Sequence, residues 1–479
     1  MASSWAMEEM RDVNLHDRRL NDRLREVLSQ LGDHPTASIP AACGGMAEMS
    51  AAYRLFDNPK VVWEEILRPH EEATRRRIAA QPTVILAQDT TEIDLTRPEQ
   101  QVAGAGPLDG GARRGLFLHP LVAFTPDGTP LGTVHAAVWA REESSGADAA
   151  ERRLQRRKAP IEGKESRRWV EGLRRCREEA RRAPHTRFVC VADSEADLYE
   201  LLVEAQAPPR EMDWIVRACQ DRAVAGTDSR LREELSTRAV LFRRAVKVRG
   251  RKALIGCEDR SRRQSRRSRV AEVSVRAAEV TLEPPARAGA AASPVRVNVV
   301  WVLEERPPAN EPAVEWLLLT NRPVGGAEEA RAVVEMYGVR WMEEVFFRTL
   351  KSGCRVEKRR FERVERVLPC LAVYLIVAWR TLFVCRVSRA LPEISCEAIF
   401  EPSEWKSLHA IVKRTPPPSA PPTLGEVVRM VGELGGYVPR GGDSAPGPQT
   451  TWLGLQRLHD ISLCWDVFGP EARRPRKDV

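Results

Sequence analysis

One predicted helix in the chain combines residue types and a spacing that can support chemistry. The apolar periodicity predicts a helix over 327–353, and four of its polar residues lie at offsets 0, 3, 7 and 14: Tyr337, Arg340, Glu344 and Lys351. At 3.6 residues per turn, these side chains project from one face of the helix. That face presents an aromatic hydroxyl, two cations and a carboxylate. The same spacing also fits an ordinary amphipathic helix with charge pairs along its surface.

Two short apolar runs elsewhere in the chain each end in an acid. The run TVILAQD ends at Asp89 and the run RFVCVAD ends at Asp193. Both runs are typical of buried strands, so each carboxylate would lie at the end of a strand. Asp is also common in turns at strand ends. Four nearby acids compete with these two for any functional role: Glu92, Asp94, Glu195 and Asp197.

The elements that would position these residues follow from changes in periodicity along the chain. Residues 12–80 have helical spacing with arginines interspersed, which predicts either a small helical DNA-binding unit or a helical cap with a basic surface. Two β-rich runs, 115–125 and 130–140, flank an Asp-Gly turn and predict a hairpin. Strands then alternate with helices, which indicates a mixed α/β sheet. Short β-like pieces over 221–326 predict an inserted β-rich subdomain.

Bulk composition limits the class of protein. The chain has 479 residues and a formal net charge of +8, which mildly favours a polyanionic partner. Its first residues lack the apolar core of a signal peptide. The most apolar segment, 368–387, is interrupted by Arg380 and Arg386, so it is interpreted as a buried helix and no membrane partner is expected. The ten cysteines form no C-x-x-C pair, which indicates a reduced, cytoplasmic setting.

Taken together, these segments resemble a known family. The pattern Tyr337-x-x-Arg340-x-x-x-Glu344, with Lys351 seven residues later, resembles the Y-R-E-K signature of bacterial cut-and-paste DDE transposases of the Tn5-like type. Further segments resemble this family in the same order along the chain: LHDRRLNDRL and SIPAACGGMAEMSAAYRLFDNPKV, ILAQDTTEIDL, VCVADSEADLYELL, VEWLLLTNRPV, RMVGELGGYVPR and TWLGLQRLHDI.

The resemblance implies a fold and a division into domains. The expected fold class is α/β, with an RNase H-like mixed-sheet catalytic core that carries the inserted β-rich subdomain. A helical DNA-binding domain for the transposon end would span residues 1–72, the core 73–372 with its insert at 221–326, and a helical dimerisation domain 373–479.

The resemblance also assigns three carboxylates to catalysis and metal binding, namely Asp89, Asp193 and Glu344. Two Mg²⁺ ions, with Mn²⁺ as a substitute, would be held by these hard oxygen ligands. Paired metal ions stabilise both the attacking and the leaving oxygen of a phosphodiester displacement. Glu343 is the direct rival of Glu344. The family usually has an apolar residue at the Glu343 position, and only Glu344 has the right offsets within the signature.

Further residues are implied as contacts to DNA. In the family, the signature residues other than the glutamate hold phosphates near the transposon end, and one tryptophan stacks on a base flipped out during hairpin formation. The candidates for DNA binding in this chain are therefore Tyr337, Arg340, Arg348, Lys351, Trp316, Arg217 and Arg23.

The implied activity is cut-and-paste transposition of double-stranded DNA. Such an enzyme nicks the transposon end to release a 3′-OH, forms and reopens a hairpin, and joins the end to target DNA. It acts as a homodimer on paired inverted repeats, and in bacteria it would be cytoplasmic and associated with the nucleoid when bound to DNA. Two alternatives remain: another RNase H-like nuclease, such as a junction resolvase, and an inactive relative that regulates by binding DNA.

Overall fold

The structure, a computed structural model, describes most of the chain and shows three regions along it. The described residues are 2–97, 99–109, 112–143, 160–250, 265–288, 292–309, 311–439 and 445–470. Within them, helices form both end regions and a large mixed sheet forms the middle. The division at residues 72 and 372 stays a prediction.

The N-terminal region consists of helices, as the periodicity predicts. They are α1 (Ser4–Glu9), α2 (Arg18–Asp33), α3 (Ile39–Ala42), α4 (Met46–Phe56) and α5 (Trp63–Ala79). Helix α2 begins after Asp17, whose carboxylate accepts the backbone N–H of Arg19 at 2.8 Å and so caps the helix. Its leucines face the core, whereas Arg18 and Arg19 are exposed.

The middle of the chain forms one sheet of eleven strands within the described residues. The strands are β1 (Thr83–Gln88), β2 (Thr91–Asp94), β3 (Gly106–Pro107), β4 (Arg114–Phe124), β5 (Pro130–Trp139), β6 (Arg187–Ala192), β7 (Asp213–Arg217), β8 (Phe242–Val248), β9 (Arg269–Leu282), β10 (Val295–Leu303) and β11 (Glu315–Thr320). The predicted hairpin is confirmed as β4 and β5, and Gly128 adopts φ +83° in the turn between them, a conformation that favours glycine.

The order of the first strands defines the fold class. Strands β5, β4, β1, β6 and β7 are neighbours in that order. Strand β4 runs antiparallel to β5 and β1, whereas β6 is parallel to β1 and β7 is parallel to β6. This order and these directions are those of an RNase H-like sheet, so the predicted fold class is confirmed. Strand β2 continues along the same edge of β4 directly beyond β1.

The predicted β-rich insert is present as strands that extend this same sheet. Strand β11 pairs antiparallel with β7, and β10, β9 and β8 follow in order on its outer side. The β-rich segment predicted as an inserted subdomain therefore extends the central sheet in the fold. Its last strand, β11, leads directly into the helix that carries the signature residues.

Helices cover both faces of the sheet because the central strands are apolar on both sides. On one face, α6 (Arg167–Arg182) and α7 (Tyr199–Gln206) pack over Leu86 and Cys190, which alternate with their neighbours along β1 and β6. On the other face, Ile85 and Val189 belong to the core formed with α9 (Ala327–Val339) and α10 (Trp341–Arg348). A short helix, α8 (Leu231–Ser236), lies against β9.

The C-terminal region is built on one long helix, α11 (Val364–Ala390), followed by α12 (Pro402–Lys413), α13 (Leu424–Leu434) and α14 (Pro448–Phe468). Helix α11 is long and apolar enough to cross a membrane, but 83% of its most apolar 18 residues are buried inside the protein. The interpretation of 368–387 as a buried helix is confirmed. Arg380 donates to the backbone carbonyl of Ile399 at 3.0 Å.

Candidate active site at the ends of β1 and β6

Parallel pairing brings the two strand-end acids to one edge of the sheet. Gln88 of β1 is in register with Ala192 of β6, so the next residues, Asp89 and Asp193, lie side by side. Asp89 is 8% exposed. The Asp193 carboxylate accepts the backbone N–H of Glu195 at 2.8 Å and so caps the turn that follows β6. The ends of two adjacent strands therefore fix the backbone positions from which both carboxylates extend.

A third carboxylate, that of Glu344 on α10, is linked to Asp89 through Arg340. The Arg340 guanidinium donates from Nη1 to Asp89 Oδ2 at 2.8 Å, and its Nη2 lies 3.6 Å from Glu344 Oε1. Because Arg340 is buried, this link holds α10 against the end of β1. The structure thus brings together Asp89, Asp193, Arg340 and Glu344, which are separated by up to about 250 residues in the sequence.

The electrostatics of this cluster favour a bound cation. Burial, followed by the neighbouring Asp193 carboxylate, raises the pKa of Asp89 to about 7, although Arg340 acts in the opposite direction. A divalent cation shared by the two carboxylates would relieve their repulsion, and oxygen ligands of this kind suit Mg²⁺. Within the described part of the chain, no three potential ligands already converge in a metal-binding arrangement. The donor set nevertheless fits a divalent ion, and the Arg340 guanidinium now lies against Asp89.

The rival glutamates on α10 have different surroundings. Glu343 is 0% exposed and neither of its carboxylate oxygens has a hydrogen-bond partner. Burial, followed by the charge of Asp89, raises the pKa of Glu343 well above its usual range. The Glu344 side chain is 44% exposed and faces Arg340. Of the two glutamates, Glu344 is therefore the accessible one, whereas Glu343 is enclosed in the protein interior.

This buried carboxyl leads to a prediction about stability. Replacing Glu343 with Leu should raise the free energy of unfolding by about 1–3 kcal/mol, because a buried acceptor without a partner costs that much to desolvate. Thermal and denaturant unfolding of the full chain measure the change. Glu344→Leu is the matched control and should shift stability by less than about 0.5 kcal/mol, as is usual for an exposed side chain. A lower melting temperature for Glu343→Leu would contradict the prediction.

The other competing acids have structural partners. Asp197 forms a buried ion pair with Arg222 at 2.6 Å and also accepts the backbone N–H groups of Cys219 and Gln220 at 2.9 Å each. It therefore fixes the loop after β7 and has little capacity left for a ligand. The remaining three acids are paired with arginines: Glu92 and Asp94 with Arg113, and Glu195 with Arg168.

Two of the predicted DNA contacts meet beside the carboxylates. The rings of Trp316 on β11 and Tyr337 on α9 form an edge-to-face pair with centroids 5.8 Å apart. Tyr337 is buried and Trp316 is half-buried. Arg217, at the end of β7, is in register with Leu318 of β11. The Arg340 guanidinium carbon lies 5.9 Å from the centre of the Tyr337 ring, and burial raises the pKa of Tyr337 although the charges of Arg340 and Arg217 lower it.

The prediction of one continuous helix over 327–353 is wrong. The helix is interrupted at Arg340, where the backbone N–H of Glu343 bonds to the Arg340 carbonyl three residues earlier. After Arg348 the chain forms a π-helical turn, Thr349–Gly353, closed by the Cys354 N–H on the Thr349 carbonyl. A π-turn adds a residue to the helical repeat, so the regular offset to Lys351 is lost.

The remaining predicted contacts are separate from the carboxylate cluster. Lys351 lies in the π-turn with its Nζ 3.9 Å from Glu357 Oε1, and burial lowers its pKa. Arg348 is exposed at the end of α10. Arg23 lies on α2 in the N-terminal region and pairs with Glu26 at 2.9 Å. Their roles in DNA binding stay predictions.

Sequence reasoning did not identify a group of polar residues next to Asp89. The Thr90 hydroxyl contacts both Arg168 Nε at 2.8 Å and His119 Nδ1 at 2.9 Å. The only sequence signal was the position of Arg168 at the start of a predicted helix and of His119 inside a predicted strand. Nothing in the periodicity distinguishes these residues from their neighbours, because the group forms only when β1, β4 and α6 come together.

Comparison with known proteins finds matches to family models and to solved structures. A family model described as Transposase DNA-binding matches residues 2–61, and one described as Transposase Tn5 dimerisation domain matches residues 376–465. A cryo-EM structure of a piggyBac transposase synaptic complex with hairpin DNA matches with a TM-score of 0.29 and 10% identity over 68% of this chain. This chain spans about half the length of that one, 52%. The two matched regions lie on either side of the central sheet, so both ends of the chain are similar to regions found in transposases, the second of them to the dimerisation domain of the Tn5 transposase.

Proposed function

We propose that this protein binds the ends of a transposon, cleaves the DNA there and joins the released end to target DNA. The observation that carries the proposal is that two carboxylates lie at adjacent strand ends and a third, Glu344 on α10, is linked to one of them through Arg340, in a chain whose two end regions match transposase family models. Cleavage and strand transfer at phosphodiester bonds need charge stabilisation at both the attacking and the leaving oxygen. Two adjacent carboxylates and a third linked to them through one arginine can supply the oxygen ligands for divalent metal ions.

The catalytic residues in this proposal are Asp89, Asp193 and Glu344. They would hold two Mg²⁺ ions, with Mn²⁺ as a substitute, and the ions when bound would activate the attacking hydroxyl and stabilise the leaving oxygen. Arg340 holds Asp89 and Glu344 in a common orientation through its guanidinium. The same guanidinium is well suited to a phosphate oxygen once DNA is bound, because its planar fork matches phosphate geometry.

The aromatic pair next to the carboxylates supports a role in handling the DNA end. Trp316 is half-buried and its edge-to-face contact with Tyr337 restrains the orientation of its indole. An indole held in this way can stack on an unpaired base, which stabilises an extruded nucleotide. Arg217, Arg348, Lys351 and Arg23 are proposed as contacts to phosphates, which position the DNA and carry no sequence information themselves.

Partners and cellular setting follow from the same proposal. The partners would be double-stranded DNA, as transposon inverted repeats and as target, and a second copy of the chain on paired ends. The protein would act in the cytoplasm, on the bacterial nucleoid.

Cleavage of the element's own ends tests the proposal. The full-length protein is incubated with DNA carrying the inverted repeats that flank its gene. We expect Mg²⁺-dependent cleavage that exposes a 3′-OH, no cleavage in EDTA, and end binding that weakens steeply as salt is raised. End binding without cleavage in Mg²⁺ or Mn²⁺ would instead support a regulator that only binds DNA. Preferential cleavage of four-way junctions would support a junction resolvase.

A further inference from the structure

A single arginine connects the two loops that carry Asp89 and Asp193. Arg168, the second residue of α6, donates from Nε to the Thr90 hydroxyl at 2.8 Å and from Nη2 to Glu195 Oε2 at 2.8 Å. The backbone N–H of Thr90 in turn donates to Asp89 Oδ1 at 2.7 Å. The backbone N–H of Glu195 donates to Asp193 Oδ1 at 2.8 Å. Each arm of the guanidinium therefore ends on the residue whose backbone holds one of the two carboxylates.

The guanidinium is itself held firmly. Its carbon lies 5.4 Å from the centre of the Trp139 ring and 5.6 Å from that of Trp169, and only 14% of the side chain is exposed. Two neighbouring aromatic rings restrict the rotamers of a long side chain, so less conformational entropy is lost when its hydrogen bonds form. Arg168 is therefore a rigid connector between the two loops.

The Thr90 hydroxyl is fixed from its other side by a buried histidine. His119 is 3% exposed, and its two ring nitrogens face the Thr90 hydroxyl and the Gln88 side-chain oxygen. Thr90 Oγ1 accepts from Arg168 and donates to His119 Nδ1 at 2.9 Å, which leaves the Nε2–H to donate to Gln88 Oε1 at 3.3 Å. This series of hydrogen bonds runs along the end of β1 and restricts the Thr90 hydroxyl to one orientation.

We propose that Arg168 is a positioning residue that fixes the spacing of Asp89 and Asp193 so that the two carboxylates can share divalent cations. The inference rests on the proposed function, because it assumes that these two carboxylates bind the metal. Two carboxylates at adjacent strand ends repel each other and tend to turn apart. A rigid cation that ties their loops together opposes this tendency before any metal binds. Residues that orient metal ligands in this way typically change metal affinity 10–100-fold when removed.

Binding of Mn²⁺ to the DNA-free, full-length protein measures this role without relying on activity. Electron paramagnetic resonance gives the concentration of free Mn²⁺ in a titration. We expect Arg168→Gln to raise the dissociation constant of Mn²⁺ by roughly 10–100-fold. The dissociation constant of Arg168→Lys for Mn²⁺ should lie between those of Arg168→Gln and the native protein. An ammonium group keeps the positive charge but cannot direct two N–H groups at fixed angles to Thr90 and Glu195.

The neighbouring arginine supplies a matched control. Arg167 is on the same helix, is half-exposed and pairs with Glu171 at 2.7 Å within α6. Arg167→Gln removes an arginine and a helical ion pair, but it should leave Mn²⁺ binding unchanged. If Arg168→Gln binds Mn²⁺ as tightly as Arg167→Gln does, the proposal is overturned.

Changing the two hydrogen-bond acceptors of Arg168 one at a time keeps the test informative if Arg168→Gln folds poorly. Thr90→Val removes one acceptor with little change of shape, and Glu195→Gln removes the charge of the other. Each should weaken Mn²⁺ binding in the native protein and have little further effect in the Arg168→Gln protein, because residues that act through one connection are not additive. Native Mn²⁺ affinity in both single variants, or fully additive effects, would overturn the proposal.

The aspartate variants separate this inference from the proposed function. If Asp89→Asn and Asp193→Asn bind Mn²⁺ as the native protein does, the carboxylate cluster is not the metal site and the proposed function fails. If both aspartate variants lose Mn²⁺ binding while Arg168→Gln, Thr90→Val and Glu195→Gln keep it, the two aspartates bind the metal and only the positioning role of Arg168 is overturned.

Discussion

Asparagine in place of Asp89 or Asp193, or glutamine in place of Glu344, is expected to lower DNA cleavage by roughly 10³-fold or more. Removing a ligand of a catalytic metal ion costs several kcal/mol of transition-state stabilisation, and each 1.36 kcal/mol is a factor of about ten in rate. Binding to the transposon end should persist, because the N-terminal region that matches the DNA-binding family lies in separate helices. Gel-shift and strand-cleavage assays on one labelled end measure both quantities.

The register of α10 is tested by the neighbouring glutamate. Glu343→Leu removes a carboxylate one residue away and places an apolar side chain at a fully buried position. It should cleave within about tenfold of the native rate, since the Glu343 side chain is fully buried. If Glu343→Leu were inactive and Glu344→Gln active, the third carboxylate would be Glu343 and the alignment of the signature would be wrong by one residue.

Lysines at both Leu463 and Val467 are expected to prevent two DNA ends from being held together. Both residues lie on α14 and are 52% and 63% exposed, and Phe468 beside them is 85% exposed. Burying two such side chains at an interface contributes about 3–6 kcal/mol, so the double variant should weaken the paired-end complex by roughly 100-fold or more. Single-end binding and the melting temperature should change little, because these side chains contribute little to the folded monomer.

Analytical ultracentrifugation and gel shift with paired ends measure the effect. The control is Ile411→Lys, which replaces an apolar residue of similar exposure, 49%, on α12 of the same region. If that variant loses paired ends while the α14 double variant keeps them, the interface is formed by α12. Point changes suit this test better than deleting all residues after about 440, because Trp452 and Leu458 in the first half of α14 are buried and the deletion would remove part of the core.

The sequence determined those features that depend on local patterns. Apolar runs that end in an acid predicted β1 and β6, because a strand buried on both faces needs an unbroken apolar run. The Asp-Gly turn at 127–128 predicted the hairpin of β4 and β5 because that turn needs a positive φ. The burial of α11 was predicted because two arginines interrupt its apolar surface. The resemblance, carried by residues in a fixed order, identified the family and the candidate acids.

Tertiary structure decided what depends on elements that are distant in the sequence. Parallel register between β1 and β6, rather than any spacing, places Asp89 beside Asp193. The surroundings of Glu343 and Glu344 differ because one side of α10 packs against the sheet and the other faces Arg340. The π-turn at 349–353 breaks the helical offset to Lys351, and a helical periodicity cannot indicate such a turn.

The partners of Arg168 show most clearly which contacts a sequence pattern cannot predict. Its contacts reach Thr90 after β1 and Glu195 after β6, which are 78 and 27 residues away in the sequence. A helix pattern indicates which face of α6 is apolar, but not which strand ends its first turn will meet. That choice follows from packing α6 across the parallel strands, and only the folded sheet brings the two loops within reach of one guanidinium.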